Sequence, residues 1–130
     1  MKSRDNLLRL KHFQVQEKTR QLAQIDMMLG EFERMAGDLQ AQIEVEEKKA
    51  GITDVSHFAY PTFAKAARTR VENLENSIRD LKEKRSPAED ALKEAEEELR
   101  KAELKEARGS GADTPDPVVE EQIERRMMIG

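Results

Sequence analysis

The most constraining feature of the sequence is an apolar residue at every seventh position through its first fifty residues. A strict seven-residue repeat of this length favours a left-handed coiled coil, because it keeps one stripe of each helix against a partner helix. Such a stripe predicts a long helix that buries a narrow face rather than a wide one. The repeat comprises Leu8, Val15, Leu22, Leu29, Ala36, Ile43 and Ala50.

A second heptad pattern occupies the other half of the chain. One register contains Val71, Ile78, Arg85, Leu92 and Leu99, and the other contains Leu74, Leu81, Ala88, Ala95 and Ala102. We expect the seam between the two helices to be densest in its middle, at Leu29, Phe32, Leu39, Ile43, Val71, Leu74, Ile78 and Leu81. Because alanines and lysines surround Leu99, its truncation is expected to cost less stability than that of Leu74.

The stretch "GITDVSHFAYPTFAKAA", residues 51–67, separates the two patterns. Gly51 follows the last heptad position and suits a left-handed helix cap. Asp54 can cap a short turn, and Pro61 suits the first turn of a new helix. Two helices of equal length joined by a short turn predict an all-α fold, an antiparallel coiled-coil hairpin.

The predicted hairpin covers residues 1–108, with a helix over about 4–50, a turn over 51–61 and a helix over about 62–108. Pro87 removes one backbone hydrogen bond, which predicts a kink near 85–87. The polar stretch "GSGADTPDP" opens a flexible tail over 109–130. The alternative for this tail is a short helix over 117–128, since it places Val119, Ile123 and Met127 at helical spacing.

Composition excludes several classes of function. Charged residues make up 38% of the chain and there is no cysteine, so thiol chemistry and disulfides are excluded. No apolar run is long enough to span a membrane, and the amino terminus lacks a secretory signal, which predicts a soluble cytoplasmic protein. His12 and His57 lie too far apart in a hairpin to share a metal. With no phosphate-binding loop and no catalytic triad, we expect no enzymatic activity, no cofactor and no metal.

Acidic and basic residues balance along both helices, which argues against nucleic-acid binding. The first twenty residues are the exception, with six basic side chains against Asp5 and Glu17. Apolar residues that lie off the seam sit among these charges and predict a contact surface. The candidate partner-binding residues at this end of the hairpin are Arg4, Leu7, Arg9, Leu10 and Phe13, and Lys2 and Lys11 complete the basic cluster.

The turn holds three of the five aromatic residues of the chain, Phe58, Tyr60 and Phe63. They can close the open end of a narrow core, or they can form a candidate contact for a partner at the tip. The two roles are compatible, and the sequence leaves both open.

Two phrases, "MKSRDNLLRLKHFQVQEKTRQLAQI" and "GITDVSHFAYPTFAKAA", resemble the flagellar FliJ family over roughly residues 1–108. The resemblance implies a stalk-like coiled coil of the flagellar type III protein export apparatus. It further implies a general chaperone or chaperone-escort role. The implied partners are the export ATPase FliI, the export-gate protein FlhA and export chaperones. The implied location is the cytoplasm, with attachment to the inner membrane only through partners.

The resemblance also implies that the end of the hairpin with both chain termini faces the ATPase. The rival interpretation is a generic coiled-coil tether or homodimeric scaffold, in which two chains pair in parallel. A parallel dimer does not require Gly51 and Pro61 between two equal helices.

Overall fold

A computed structural model describes residues 2–109 of the chain, without the side chain of Lys2. Helix α1 (Lys2–Ala50) and helix α2 (Thr62–Gly109) account for nearly all of this range, and a loop over 51–61 joins them. No strand occurs in the described range. The predicted all-α fold of two long packed helices is therefore confirmed. Apart from Gly109, the predicted tail and its alternative helix over 117–128 lie outside the described residues.

The chain forms two compact units, and each combines a segment of α1 with a segment of α2. The loop unit is Gln24–Arg85, and the terminal unit comprises the described residues of Met1–Ala23 and Ser86–Gly130. Ion pairs give the direction of packing inside the loop unit. Asp26 pairs with Arg85 at 2.6 Å, and Glu47 pairs with Arg68 at 2.7 Å. Because residues later in α1 pair with residues earlier in α2, the two segments are antiparallel.

The core of the loop unit lies next to the loop. Its buried members include Ala64 and Ala67, which are the most buried side chains of α2. Both extend the second heptad pattern by one repeat toward the loop, since they lie seven residues before Val71 and Leu74. Small side chains let two helices approach closely, so these alanines allow the seam to continue up to the turn. The cluster consists of Ile43, Tyr60, Ala64, Ala67 and Val71, with Leu39 and Ile52 packed against it.

The terminal unit has a continuous apolar stripe on its α2 segment. Leu92, Ala95 and Leu99 are buried there, and Leu99 is only 7% exposed. Leu74, in the loop unit, is only partly buried. The predicted thinning of the seam at Leu99 is therefore wrong, because this side chain is packed at least as fully as the central leucine.

Gly51 ends α1 in the way its position predicts. Its φ of 69° is left-handed, the region that glycine adopts without a steric penalty. The N–H groups of Gly51 and Ile52 both donate to the carbonyl oxygen of Glu47, at 2.8 and 3.3 Å. These bonds satisfy a carbonyl that the end of the helix would otherwise leave open.

The loop after Gly51 is organised by Asp54 and closed by Pro61. Asp54 Oδ1 accepts hydrogen bonds from the Ser56 N–H at 3.0 Å and from the Ser56 hydroxyl at 2.7 Å. The hydrogen bonds from Ser56 hold the pKa of the Asp54 carboxyl below its ordinary value. The carbonyl oxygen of Pro61 accepts the N–H of Lys65 at 3.0 Å, so Pro61 directly precedes the first helical turn.

Helix α2 continues through Pro87 without interruption. Two residues earlier, at a seam position, Arg85 Nε donates to Asp26 Oδ1 at 2.6 Å. This hydrogen bond lowers the pKa of the Asp26 carboxyl. Counting outward from the turn along two antiparallel helices places Arg85 opposite about residues 25–30, and the contact with Asp26 agrees with this register. The kink near 85–87 stays a prediction.

The packing of Leu99 leads to a prediction about stability. Leu99→Ala should lower the free energy of unfolding by about 2–4 kcal/mol, because it leaves a cavity in a buried seam. This loss should equal or exceed that of Leu74→Ala, because the Leu74 side chain is already partly exposed. Denaturant unfolding of the full chain measures both losses. The matched control is Leu10→Ala, an exposed leucine expected to change stability by less than about 0.5 kcal/mol. A clearly larger loss for Leu74→Ala would contradict this order.

Candidate functional site

Three large apolar side chains lie on the surface of α1 in the terminal unit. Leu7, Leu10 and Phe13 are 44%, 50% and 59% exposed. Their neighbour Leu8, a heptad residue, is partly buried. These three residues, which we call the amino-terminal ridge, therefore lie off the seam, as their spacing predicts. A cluster of exposed apolar side chains on a charged helix is a typical protein contact surface.

The basic side chains beside the ridge differ in how far they are engaged. Lys11 Nζ lies 2.9 Å from Glu98 Oε2, so its charge is compensated. The guanidinium of Arg4 lies beside the last residue of α2, since a Cβ at Gly109 would be 2.7 Å from Arg4 Cζ. A cation is favourable at a helix carboxyl end. Arg9 is exposed and forms no ion pair within residues 2–109.

Shallow grooves flank the ridge in the terminal unit. A groove of about 220 Å³ is lined by Arg4, Leu7, Leu8, Ala102, Lys105 and Glu106. A groove of about 440 Å³ is lined by Phe13, Gln14, Glu17, Lys18, Ala91, Glu94, Ala95 and Glu98. Leu7 and Phe13 thus each border a groove. Open grooves of this kind can receive side chains of a partner protein, whereas small-molecule sites are deeper and more enclosed.

The loop unit holds a polar network around Tyr60. The Tyr60 hydroxyl donates to Glu47 Oε2 at 2.7 Å, and Arg68 donates to the Tyr60 oxygen at 2.8 Å and to Glu47 Oε2 at 2.7 Å. Hydrogen bonds hold the pKa of Glu47 below its ordinary value, with Arg68 contributing most and Tyr60 second. The same partners raise the pKa of Arg68, with Glu47 contributing most. This network, which we call the loop anchor, ties both helices to the loop.

The aromatic residues of the loop serve different purposes. Tyr60 is 7% exposed and belongs to the core, so it closes the end of the narrow core next to the loop. Phe58 is 96% exposed and Phe63 is 53% exposed. Within residues 2–109, the Phe58 ring stacks on His57 alone, with ring centroids 4.8 Å apart. Of the predicted tip contact, Phe58 and Phe63 are therefore accessible to a partner and Tyr60 is not.

Glu47 and Arg68 were not identified from the sequence. Each is one charged residue among many, and their pairing depends on which helix faces meet across the loop. The signal that could have indicated their pairing is their position in the sequence. Glu47 lies one turn before the Gly51 cap and Arg68 one turn after Ala64, at comparable distances from the loop.

No group of three or more metal-ligating side chains occurs in the part of the chain that the structure describes. His12 lies in the terminal unit and His57 in the loop unit, and both are exposed. Over the same residues, neither helix is long and apolar enough to cross a bilayer.

Comparisons with known proteins give no family assignment. No protein-family model matches the chain, and no curated protein or solved structure matches it significantly. The relation to the flagellar FliJ family stays a hypothesis based on the two quoted phrases.

The loop anchor makes the stability of the fold depend on pH. Folding lowers the pKa of Glu47 below its ordinary value of 4.5. The unfolded state therefore binds more protons than the folded state at pH values near and just below 4.5. The stabilisation is complete above the ordinary pKa and is lost as the pH falls through the lowered one. Glu47→Gln should therefore reduce the slope of stability against pH as the pH falls below the ordinary glutamate pKa, measured by urea unfolding.

The matched control for this prediction is Glu44→Gln. Glu44 is an exposed glutamate of the same helix that takes no part in the loop anchor. Its replacement should leave the slope close to that of the parent chain. An unchanged slope for Glu47→Gln would show that the network does not form in solution.

Proposed function

We propose that the chain is a non-enzymatic cytoplasmic component of the flagellar type III protein export apparatus. In this proposal it is a stalk-like coiled coil that engages the export ATPase FliI and the export gate FlhA. It also has a general chaperone or chaperone-escort role in flagellum assembly. The observation that carries the proposal is the amino-terminal ridge. It is an exposed apolar surface of α1 that is separate from the face packed in the seam.

The ridge supports a protein contact through both apolar area and charge. Leu10 and Phe13 are large side chains that a partner can desolvate, and buried anchors of this kind hold complexes together. Arg9 is exposed beside them, and exposed charges mainly speed the encounter. The ridge is therefore suited to bind a surface that is apolar at its centre and acidic at its rim.

The fold itself is compatible with a stalk role. A component that enters an ATPase ring has to be narrow and continuous along its length, and two supercoiled helices achieve this with few residues. The long continuous spans of α1 and α2 support this requirement. The shallow grooves of the terminal unit support a binding role better than a catalytic one.

The remaining partners come from the resemblance and belong to the same proposal. FlhA and export chaperones would then bind surfaces other than the ridge. Phe58 and Phe63 are the alternative ATPase contact, should the ridge not be used. Peripheral attachment at the inner membrane would follow from FlhA binding.

A second candidate function is a homodimeric scaffold or tether. The observation that favours it is an exposed apolar strip on α1 of the loop unit, formed by Met27, Met28, Met35 and Val45. Gly30 and Gly37 of the same segment have open space around them. Light scattering over a range of concentrations separates the functions, because a scaffold dimerises and the proposed export component is a monomer before it binds.

The ridge yields a kinetic prediction for binding to the cognate export ATPase. Leu10→Ala with Phe13→Ala should raise the dissociation rate by about tenfold or more, because buried apolar anchors are lost. Arg9→Glu should instead lower the association rate and leave dissociation nearly unchanged. Surface-based binding kinetics at two salt concentrations measure both rates.

The matched control is Met27→Ala with Met35→Ala, which removes exposed apolar area elsewhere on α1. This variant should bind like the parent chain. If the ridge variant and Arg9→Glu both retain parental kinetics, the ridge is not the ATPase contact.

A further inference from the structure

The loop of the loop unit exposes apolar side chains that the fold does not use. Phe58 is almost completely exposed, and Phe63 and Val55 are exposed beside it in sequence. Tyr60, from the same loop, is buried in the core. Tyr60 is thus used for folding, whereas Phe58 of the loop and Phe63 in the first turn of α2 remain in solvent. Exposing an aromatic ring to water is unfavourable, and burying it in another medium recovers that free energy.

The loop and the helical turns next to it in sequence carry an excess of positive charge. Residues 47–70 carry five basic side chains against the two acids Glu47 and Asp54, a net charge of +3. Because the whole chain carries −4, the residues outside this interval carry −7. Arg68 is held by Glu47. The other four cations are exposed and form no ion pair within the described residues: Lys48, Lys49, Lys65 and Arg70.

The loop presents Phe58 on an ordered backbone. The His57 N–H donates to the Asp54 carbonyl oxygen at 3.1 Å, and the Tyr60 N–H donates to the His57 carbonyl oxygen at 3.0 Å. The Ala59 N–H donates to His57 Nδ1 at 3.0 Å. Phe58 therefore lies within a hydrogen-bonded turn whose last residue, Tyr60, is fixed in the core. A preordered segment loses little conformational entropy when it binds.

We propose that this loop binds directly to an anionic membrane surface, with Phe58 and Phe63 inserted at the lipid interface and the four free cations beside the headgroups. A ring exposed on nearly all sides is fully buried only by a medium that surrounds it. Lipid does this, whereas a flat protein surface covers one face. Lysine and arginine near an anionic leaflet add electrostatic attraction, and aromatic side chains favour the interfacial region.

The charge pattern also limits how much of the chain takes part. Acidic side chains resume at Glu44 and Glu46 on α1 and at Glu72 on α2. These residues would be repelled by an anionic surface. The contact is therefore confined to the loop and the adjoining helical turns. It is a peripheral association, and it does not depend on the proposed export function or on any protein partner.

Flotation of the full chain with lipid vesicles tests the proposal. The chain should float with vesicles of phosphatidylcholine and phosphatidylglycerol, and much less with phosphatidylcholine alone. Phe58→Ala should weaken partitioning by about tenfold or more. Lys48→Glu with Lys49→Glu should weaken it by at least about fivefold per residue. The matched control is Met27→Ala, which removes an exposed apolar side chain away from the loop and should partition like the parent.

A fluorescence measurement distinguishes insertion from simple electrostatic attraction. The chain has no tryptophan, so Phe58→Trp introduces a single reporter. Its emission should shift to the blue with anionic vesicles and be quenched by brominated lipid, whereas the reporter in Met27→Trp should do neither. The proposal is overturned by failure to bind anionic vesicles, by equal partitioning of Phe58→Ala and the parent, or by an unshifted Phe58→Trp reporter on bound protein. Binding to acidic proteins or nucleic acid without vesicle binding would equally overturn it.

Discussion

The apolar stripe on each helix is narrow, and burying it requires another helix. Hydrophobic residues make up only 37% of the chain, which is too few for a wide core. The stripe of α2 is buried in both units, at Ala64 and Val71 in the loop unit and at Leu92 and Leu99 in the terminal unit. Every other feature depends on this burial. The loop can be short because the seam continues to it, and the outer faces of the helices remain available for binding.

The two candidate surfaces differ because different side chains remain after the seam is formed. In the terminal unit, the leftover apolar residues Leu7, Leu10 and Phe13 lie on a helix among charges that are partly compensated. In the loop unit, Phe58 stands on a hydrogen-bonded loop, and Lys48, Lys49, Lys65 and Arg70 near it in sequence form no ion pair with any described residue. The first arrangement supports a protein contact and the second a membrane contact. Tyr60 is buried in the core of the loop unit, so it is not part of the second surface.

Local and periodic features were predictable from the sequence. The heptad positions predict both helices, and Gly51 predicts the left-handed cap, because each depends only on residues nearby in the chain. The burial of Leu99, the roles of Tyr60 and Phe58, and the pairing of Glu47 with Arg68 were not predictable. Each depends on which side chains lie opposite across the seam, and one sequence does not give that arrangement. The same limit applies to the ridge. Lys11 belongs to the basic cluster in the sequence, but its ion pair with Glu98 on α2 compensates its charge.

Chemical cross-linking tests the central claim, that one chain folds back on itself with Asp26 beside Arg85. The chain has no cysteine, so Asp26→Cys with Arg85→Cys carries the only thiols. A short bis-maleimide at low protein concentration should then link the two thiols within one chain and leave a monomer. The control, Asp26→Cys with Glu47→Cys, places both thiols on α1 about 30 Å apart, too far for the linker. Covalent dimers from the first variant, with no internal link, would contradict the antiparallel hairpin.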